Sequence, residues 1–513
     1  MLQLTNISIN MLRDNKTIIE GLNLVVNDGE KAALIGEEGN GKSTLLHWIM
    51  DPKSVKDYAH VTGSVYTGNA KCGYLPQELP IALRAKAVYD YMCDACVIDE
   101  KTPREVSRIC RQLGLEMETL YSQQSMGTLS GGERIKLQLA GLLLDGCDTL
   151  LLDEPSNDID IPTLEWLEKF MLESKATVLY ISHDEVLLER TAELIIHVEQ
   201  VRRKTIPRVT VARQPYRKYM DERAARMEKT EQISRFEHAE FKKKKQRYLS
   251  IYQAVESAQG SITRQDPSTG RLLKKKMHSV KSLGKRLDKE EEELTAMPEA
   301  EWAILPKFDE GIELINGKVV LDLSINELRV SERLLARNIQ LNVTGPEHIC
   351  IIGKNGCGKT TLLKQIAETL LPRRDINAAY MPQSYDDMLD PSLFPVEYLA
   401  PNGDKDSVTR ARIYLGSMKY TTDEMSHKIS ELSGGQRAKL LLLNMILNDA
   451  NVLILDEPTR NFSPLSAPAV RELLANFPGA IISASHDRRY IGAIATAVYE
   501  LTQNGLRRID FSL

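Results

Sequence analysis

Alternating apolar positions open the chain. Leu2, Leu4, Ile7 and Ile9 have the period of two that marks a half-buried strand. A continuous apolar run, Lys31-Ala32-Ala33-Leu34-Ile35, predicts a second strand, followed by a glycine-rich turn and a helix over Thr44–Met50. Two more strands are predicted over Thr149–Leu152 and Thr177–Ile181. The pattern then changes. From about Val211 to Glu293 the chain is highly charged with helical periodicity. Its seventh-residue positions run Met220, Met227, Ser234, Phe241, Tyr248, Val255 and then Leu273, Val280, Leu287, Leu294. A near-heptad stripe on charged segments predicts two helices packed along one seam. The breaker-rich stretch from Gln259-Gly260-Ser261 to Asp266-Pro267-Ser268-Thr269-Gly270 predicts the loop between them. This is an antiparallel hairpin with its tip at about 258–270. At 1.5 Å per residue, an arm of about 40 residues extends roughly 60 Å.

The turn after the second strand carries the first chemistry. Gly36-Glu37-Glu38-Gly39-Asn40-Gly41-Lys42-Ser43 is G-x-x-x-x-G-K-S between a strand and a helix, the context a phosphate loop requires. Its glycines let backbone N–H groups curl round a phosphate, Lys42 reaches the outer phosphates and the Ser43 hydroxyl can ligate Mg²⁺. Gln77 follows in Tyr74-Leu75-Pro76-Gln77, and Leu129-Ser130-Gly131-Gly132-Glu133 precedes a helix. The strand at Thr149–Leu152 delivers Asp153-Glu154-Pro155, and that at Thr177–Ile181 ends in Ser182-His183-Asp184. Two carboxylates at a strand's end suit metal holding by the first and water activation by the second. After the hairpin the series recurs: Gly353-Lys354-Asn355-Gly356-Cys357-Gly358-Lys359-Thr360, Tyr380-Met381-Pro382-Gln383, Leu432-Ser433-Gly434-Gly435-Gln436, Asp456-Glu457-Pro458 and Ser485-His486-Asp487. Alone, an Asp-Glu pair can cap a helix and His183 can be a satisfied core histidine. Elements repeated in the same order make an internal duplication. The expected architecture is α/β, with domains at 1–205 and 299–513 and the helical hairpin at 206–298.

Charge sharpens the picture. The chain of 513 residues has a net charge of −5, yet residues 201–300 hold 25 Lys/Arg against 14 Asp/Glu, a local +11 that leaves −16 elsewhere. A basic segment on an acidic protein points to a polyanionic partner, against the plainer reading of a solvated helix surface. No apolar run approaches the ~20 residues of a membrane span, and the first residues lack a secretory signal's apolar core. The expectation is a soluble, cytoplasmic protein without membrane contact. Seven cysteines in so long a chain make no disulfide framework. Cys93 and Cys96 have redox or metal spacing but no second pair, and read as reduced thiols. Cys357, within the second phosphate loop, reads as a tolerated small residue, with oxidation sensing as the alternative.

The duplicated series resembles the ATP-binding cassette superfamily over nearly the whole chain. The resemblance implies two ABC-type nucleotide-binding domains packed head to tail within one monomer, with ATP and Mg²⁺ as cofactors. Each ATP would lie between one phosphate loop and the other half's signature. One site would combine Gly36, Gly39, Gly41, Lys42, Ser43, Thr44, Gln77, Asp153, Glu154 and His183 with Ser433, Gly434 and Gly435. The other would combine Gly353, Gly356, Gly358, Lys359, Thr360, Thr361, Gln383, Asp456, Glu457 and His486 with Ser130, Gly131 and Gly132. Glu154 and Glu457 would be general bases, and His183 and His486 would contact the γ-phosphate. Ser43, Gln77 and Asp153, and Thr360, Gln383 and Asp456, would face Mg²⁺.

Two cassettes and a charged helical linker resemble, more narrowly, the ABC-F translation factors. That family's linker enters the ribosomal exit site beside peptidyl-site tRNA and reaches large-subunit RNA near the peptidyl-transferase centre. The intervals between glutamine and signature, 51 residues (78–128) and 48 (384–431), leave no room for the extra arm of housekeeping members. The resemblance therefore implies the antibiotic-resistance, ribosome-protecting branch. Ile262, Thr263 and Arg264 at the tip are candidate contacts to RNA or the drug site. The alternatives are a general translation factor, a transporter's ATPase subunit and a DNA-maintenance ATPase. Three departures stand out. Asn157-Asp158-Ile159-Asp160 and Arg460-Asn461-Phe462-Ser463 replace the family's Asn-His-Leu-Asp, the second losing its final carboxylate, which implies unequal hydrolysis at the two sites. Residues 1–47 and 309–379 contain no aromatic to stack on adenine, so an aliphatic residue near Met11 or Leu12 is expected there.

Overall fold

In the computed structural model the alternating residues form β1 (Leu2–Met11), with Leu2, Leu4, Ile7 and Ile9 all buried. There follow β2 (Thr17–Val26), β3 (Lys31–Ile35), α1 (Lys42–Met50), β4 (Ala59–Tyr66), β5 (Cys72–Leu75), α2 (Gly131–Leu144), β6 (Thr149–Asp153), α3 (Ile161–Glu173), β7 (Thr177–Ile181), α4 (Glu185–Thr191), β8 (Leu194–Val201) and β9 (Ile206–Ala212). The main sheet has the order β5-β6-β7-β3-β8-β9. Its pairs are parallel except for β9, which runs antiparallel on β8. Every residue of β3, β6 and β7 is buried, which is why they read as unbroken apolar runs rather than alternating ones. Because these strands are parallel, the phosphate loop, Asp153-Glu154 and Ser182-His183 all emerge at one edge of the sheet. A smaller antiparallel sheet, β2-β1-β4, packs in the same core.

The structure describes residues 1–201, 205–260, 267–294, 308, 314–331 and 333–511. They fall into two compact units, Met1–Tyr216 with Glu301–Leu513, and Arg217–Ala300. The second unit is made by α5 (Tyr216–Gly260) and α6 (Pro267–Glu293). Ascending α5 from Lys244 through Tyr248 to Val255 descends α6 from Glu290 through Gly284 to Val280 and Met277, so the pair is antiparallel. The seventh-residue positions Ser234, Phe241, Val255, Val280 and Leu287 are buried. A Cβ at Gly284 would lie 2.6 Å from the Tyr248 hydroxyl, so a glycine in a helix here makes room for a ring. Two sequence boundaries are corrected. Val211 and its neighbours belong to β9, where they complete the first sheet, and the helix starts at Tyr216. The loop is shorter than 258–270, because α5 continues to Gly260 and Pro267 opens α6, a position where its missing N–H costs nothing. Ile262, Thr263 and Arg264 lie outside the described residues.

The second cassette repeats the first: β10 (Val319–Val330), β11 (Arg333–Thr344), β12 (His348–Ile352), α7 (Lys359–Leu370), β13 (Ala378–Met381), α8 (Gly434–Leu447), β14 (Val452–Asp456), α9 (Ala467–Ala475), β15 (Ala480–Ala484), α10 (Arg488–Ile494), β16 (Ala497–Thr502) and β17 (Gly505–Ile509). Its sheet order, β13-β14-β15-β12-β16-β17, is the same topology. The cassettes meet through charge as well as shape. Arg488 of α10 pairs with Glu168 of α3 and donates to Asp184 at 3.3 Å. Arg471 of α9 forks onto Glu185 at 2.8 and 3.0 Å, and Arg489 pairs with Glu189. No described helix is long and apolar enough to cross a membrane.

The hairpin's seam is thin, so one buried charge opens it. Val280→Asp places a carboxylate among Val255 and Met277, a burial that costs several kcal/mol. Limited trypsin digestion should then cut within residues 217–294 at least several times faster than in the wild type, while the cassettes' melting temperature stays put. Equal cleavage rates would show that the seam does not hold the hairpin.

Candidate active site

Each phosphate loop is closed by its own lysine. Gly41 and Gly358, at φ 78° and 108°, start α1 and α7 in the left-handed region. Lys42 Nζ then folds back to donate to the carbonyls of Gly36 at 2.8 Å and Glu37 at 2.9 Å. Lys359 Nζ makes the matching bonds to Gly353 and Lys354 at 2.9 and 3.3 Å. Burial pulls the Lys42 ammonium below its ordinary value, against the opposing pull of Glu154 and Glu38. The first loop borders a cavity of about 240 Å³ that it shares with Thr44, Gln77, Glu154 and His183. The second borders one of about 510 Å³ with Thr361, Gln383, Glu457 and His486.

The donors for a hard cation are in place. Ser43 Oγ donates to Asp153 Oδ1 at 3.1 Å, and Tyr74 holds Asp153 Oδ2 at 3.0 Å. Thr360 is the neighbour that lowers Asp456 against its burial, and Asp456 Oδ2 is buried with no hydrogen-bond partner among the described residues. Hydroxyl and carboxylate oxygens of this kind suit Mg²⁺, which favours oxygen ligands and keeps several waters. Burial raises both Asp153 and Asp456 above the usual carboxylate value, a cost that a bound cation would remove.

The two carboxylates that follow differ from each other. Glu154 and Glu457 both have left-handed backbones, at φ 50° and 53°, a strained conformation that turns each side chain off the strand toward its cavity. Glu154 Oε1 lies 2.8 Å from His183 Nε2, and His183 Nδ1 donates to the Phe462 carbonyl at 2.8 Å. With an acceptor oxygen beside each ring nitrogen, the surroundings favour the imidazolium. Burial works against each charge, but the pairing prevails, lowering Glu154 and raising His183. In the second cassette His486 Nε2 stands 3.8 Å from Glu457 Oε1, and its Nδ1 is buried without a partner among the described residues. Burial, then Asp456, pushes Glu457 up to about 7. Burial, then Lys359, pushes His486 down to about 3. One site therefore holds a close carboxylate–histidine pair, and the other a carboxylate raised to about 7 beside a histidine held neutral.

Across the seam, each half reaches into the other. Gly435 N donates to Glu38 Oε2 at 2.6 Å, which sets the first phosphate loop against the second signature. Asn355 Nδ2 donates to the Asp158 carbonyl and faces Gly131, which sets the second loop against the first signature. The head-to-tail arrangement follows from these contacts. Ser130 and Ser433 are helix caps, each closing a capping box with Glu133 or Gln436, so S-G-G-E/Q is itself a helix start. A Cβ at Gly131 would fall 2.1 Å from Asp158 O, and one at Gly132 2.7 Å from Thr163 Oγ1, so only glycine fits there. Neither these glycines nor Ser130 borders the larger cavity. The unusual Arg460 pairs with Asp158 at 2.8 Å, so the two departures from the family's loop meet each other. Beside the first loop, Met11 and Ile18 line the cavity, while Leu12 is exposed. Beside the second, Val330, Arg333 and Leu335 take that place. Sequence reasoning missed Tyr74, Arg333 and the Arg460–Asp158 pair. Only the charge complementarity of the last was visible in the residues.

Comparison with known proteins agrees with this geometry. The chain is 25% identical over 546 residues to the probable ATP-binding protein YheS of Escherichia coli (strain K12), covering 99% of this chain and 80% of that protein. It is 27% identical over 517 residues to the ribosome protection protein VmlR of Bacillus subtilis (strain 168), covering 98% and 87%. The solved structure of the archaeal ribosome recycling factor aABCE1 with stalk protein aP1 shares the fold, with a TM-score of 0.59 at 16% identity over 98% of this chain and 90% of that one. A family model described as ABC transporter matches residues 19–157 and 336–460. Those stretches are more than half of the chain, and the protein belongs to the ABC transporter family.

Proposed function

We propose that this protein is an ABC-F-type ATPase that acts on the ribosome. ATP held between a phosphate loop and the opposite signature closes the cassettes, and hydrolysis releases them. The single observation that carries the reading is the basic helical hairpin inserted between two complete cassettes. Lys244 and Lys245 are neutralised by Glu290 and Glu291, but Lys242, Arg247 and Lys274–Lys276 are exposed on the rod. Cations along a rod favour RNA through phosphate neutralisation and counterion release, with recognition by shape. In the finer reading, the hairpin enters the exit site beside peptidyl-site tRNA and protects the peptidyl-transferase region from antibiotics. The relative named as a ribosome protection protein supports this reading.

At each site the glutamate accepts a proton from the attacking water, and the switch histidine and the signature amides contact the γ-phosphate. Mg²⁺ held by Ser43 and Asp153, or Thr360 and Asp456, would supply neutralising charge to the phosphate oxygens. The lysines and phosphate-loop amides fix the chain of phosphates, and closure of the seam excludes bulk water.

Glu154→Gln with Glu457→Gln should lower ATP turnover by about 100-fold or more, the usual share of a general base. The same double variant should sediment with ribosomes in ATP and low salt. Wild-type turnover would remove the assigned bases, and no sedimentation would remove the ribosome. A drug-susceptibility panel then separates protection from a general translation role, because only protection raises resistance in expressing cells.

The single variants should titrate differently. With Glu154→Gln only the second site turns over. Its base is active as the carboxylate, so the rate should rise from pH 6 to 8 with a midpoint near the value of about 7 at Glu457. With Glu457→Gln the first site remains, and Glu154, held below its ordinary value, should give a flat profile over that range. Superimposable pH profiles would contradict the assignment.

A further inference from the structure

We propose that Glu38 is a built-in competitor for the nucleotide's terminal phosphate, which makes the first ATP site the weaker of the two; the inference rests on the ATP-binding reading above. The two phosphate loops correspond residue by residue. Gly36-Glu37-Glu38-Gly39 stands where the other loop has Gly353-Lys354-Asn355-Gly356. The first therefore presents two carboxylates where the second presents an ammonium and an amide.

Glu38 uses its carboxylate across the seam. Its Oε2 accepts from Gly435 N at 2.6 Å. Cβ atoms built on Gly434 and Gly435 would lie 3.3 and 3.2 Å from Oε1 and Oε2, so the group covers both signature glycines. It sits at the N-terminus of α8, a 14-residue helix, where an anion is favoured. It also borders the same cavity as Lys42 and Ser43. This carboxylate makes the bond that the signature amide would give to a phosphate oxygen. One N–H cannot serve both anions, so phosphate must displace Glu38. The displaced charge remains beside a polyanion, and the repulsion adds to the lost bond.

The second site lacks this opposition. Asn355 is a donor there, and it is spent on the Asp158 carbonyl rather than on the signature amides. Its neighbour Lys354 attracts the polyphosphate. The second site therefore fills first, and the first closes only at higher ATP.

Calorimetric titration of the Glu154→Gln, Glu457→Gln protein with ATP and Mg²⁺ tests this without turnover. Two classes of site should appear, separated by about tenfold or more in Kd, or about 1.4 kcal/mol. Adding Glu38→Asn should tighten the weak class by about tenfold and merge the two. Asn355→Glu should instead weaken the tight class by a similar factor. Equal sites in the parent, or an unmoved weak class in Glu38→Asn, overturns the proposal. If Glu38→Asn fails to fold, Asn355→Glu decides, and an unchanged tight class overturns it. Absence of ATP binding in every protein would refute the nucleotide reading instead.

Discussion

A guanidinium taken out of water must find carboxylates, and in this protein it finds them on the other cassette. Arg488 is 5% exposed and its partner Glu168 is 4% exposed, with Asp184 and Arg190 completing the cluster. Burying such charges costs several kcal/mol each unless they are paired, and breaking one pair strands the other charge. Each cassette therefore depends on the other for a satisfied interior. The cluster also has a fixed place in the chain. α4 and α10 begin directly after the two switch loops, so the pairing of Asp184 and Arg488 anchors the segments that carry His183 and His486. The joint and the chemistry share the same few residues.

Duplication gives the two halves the same parts, but the seam does not treat them alike. The charged form of His183 is favoured because Phe462 offers it a carbonyl from across the interface while Glu154 takes its other nitrogen. The corresponding nitrogen of His486 meets no such acceptor among the described residues, and Glu457 stands too far away for a hydrogen bond. The difference in charge state follows from that geometry. Pairing with His183 lowers Glu154 despite its burial, whereas burial, and then Asp456, raises Glu457 to about 7. The loss of a carboxylate at Ser463 implied unequal sites. The structure adds a second difference between the sites, in which loop carbonyl reaches which histidine.

Much of this was legible in the sequence, and the limits were physical. The strands that carry the chemistry were readable because parallel strands buried on both faces are continuously apolar and end in conspicuous glycines and carboxylates. The hairpin seam was readable because Phe241, Val255, Val280 and Leu287 repeat at the spacing of a helix-helix contact. β9 was not readable, since an edge strand that alternates weakly, as in Ile206–Ala212, looks like the start of the charged segment that follows. The loop at the tip was overestimated because Pro267 breaks a helix in mid-course yet starts one well. The pairing of Arg460 with Asp158 depends on two loops distant in sequence, and the left-handed backbone of Glu154 and Glu457 depends on tertiary strain that no composition announces. Of the two aliphatic residues expected near adenine, Met11 lines the cavity with Ile18, while Leu12 faces water.

The energetics divide the interface into a part that nucleotide cannot govern and a part that it can. A ligand shifts an equilibrium only by the difference in its affinity for the two states. The pairs on α3, α4, α9 and α10 involve protein groups alone, and Arg471, Arg488 and Arg489 meet their carboxylates without any phosphate. What a phosphate can rewrite is the loop seam, where Glu38 meets Gly435, Asn355 meets Asp158 and His183 meets Phe462. Each of these is a single hydrogen bond, worth about 0.5–1.5 kcal/mol between neutral groups and up to about 3 kcal/mol where a charge takes part. The half-exposed Arg460–Asp158 pair crosses the same seam, and each of these contacts is weaker than a buried arginine pair of the joint, whose loss would strand a charge. The interface therefore has two layers, a loop seam of single hydrogen bonds at the phosphate loops and a joint of buried arginine pairs behind it.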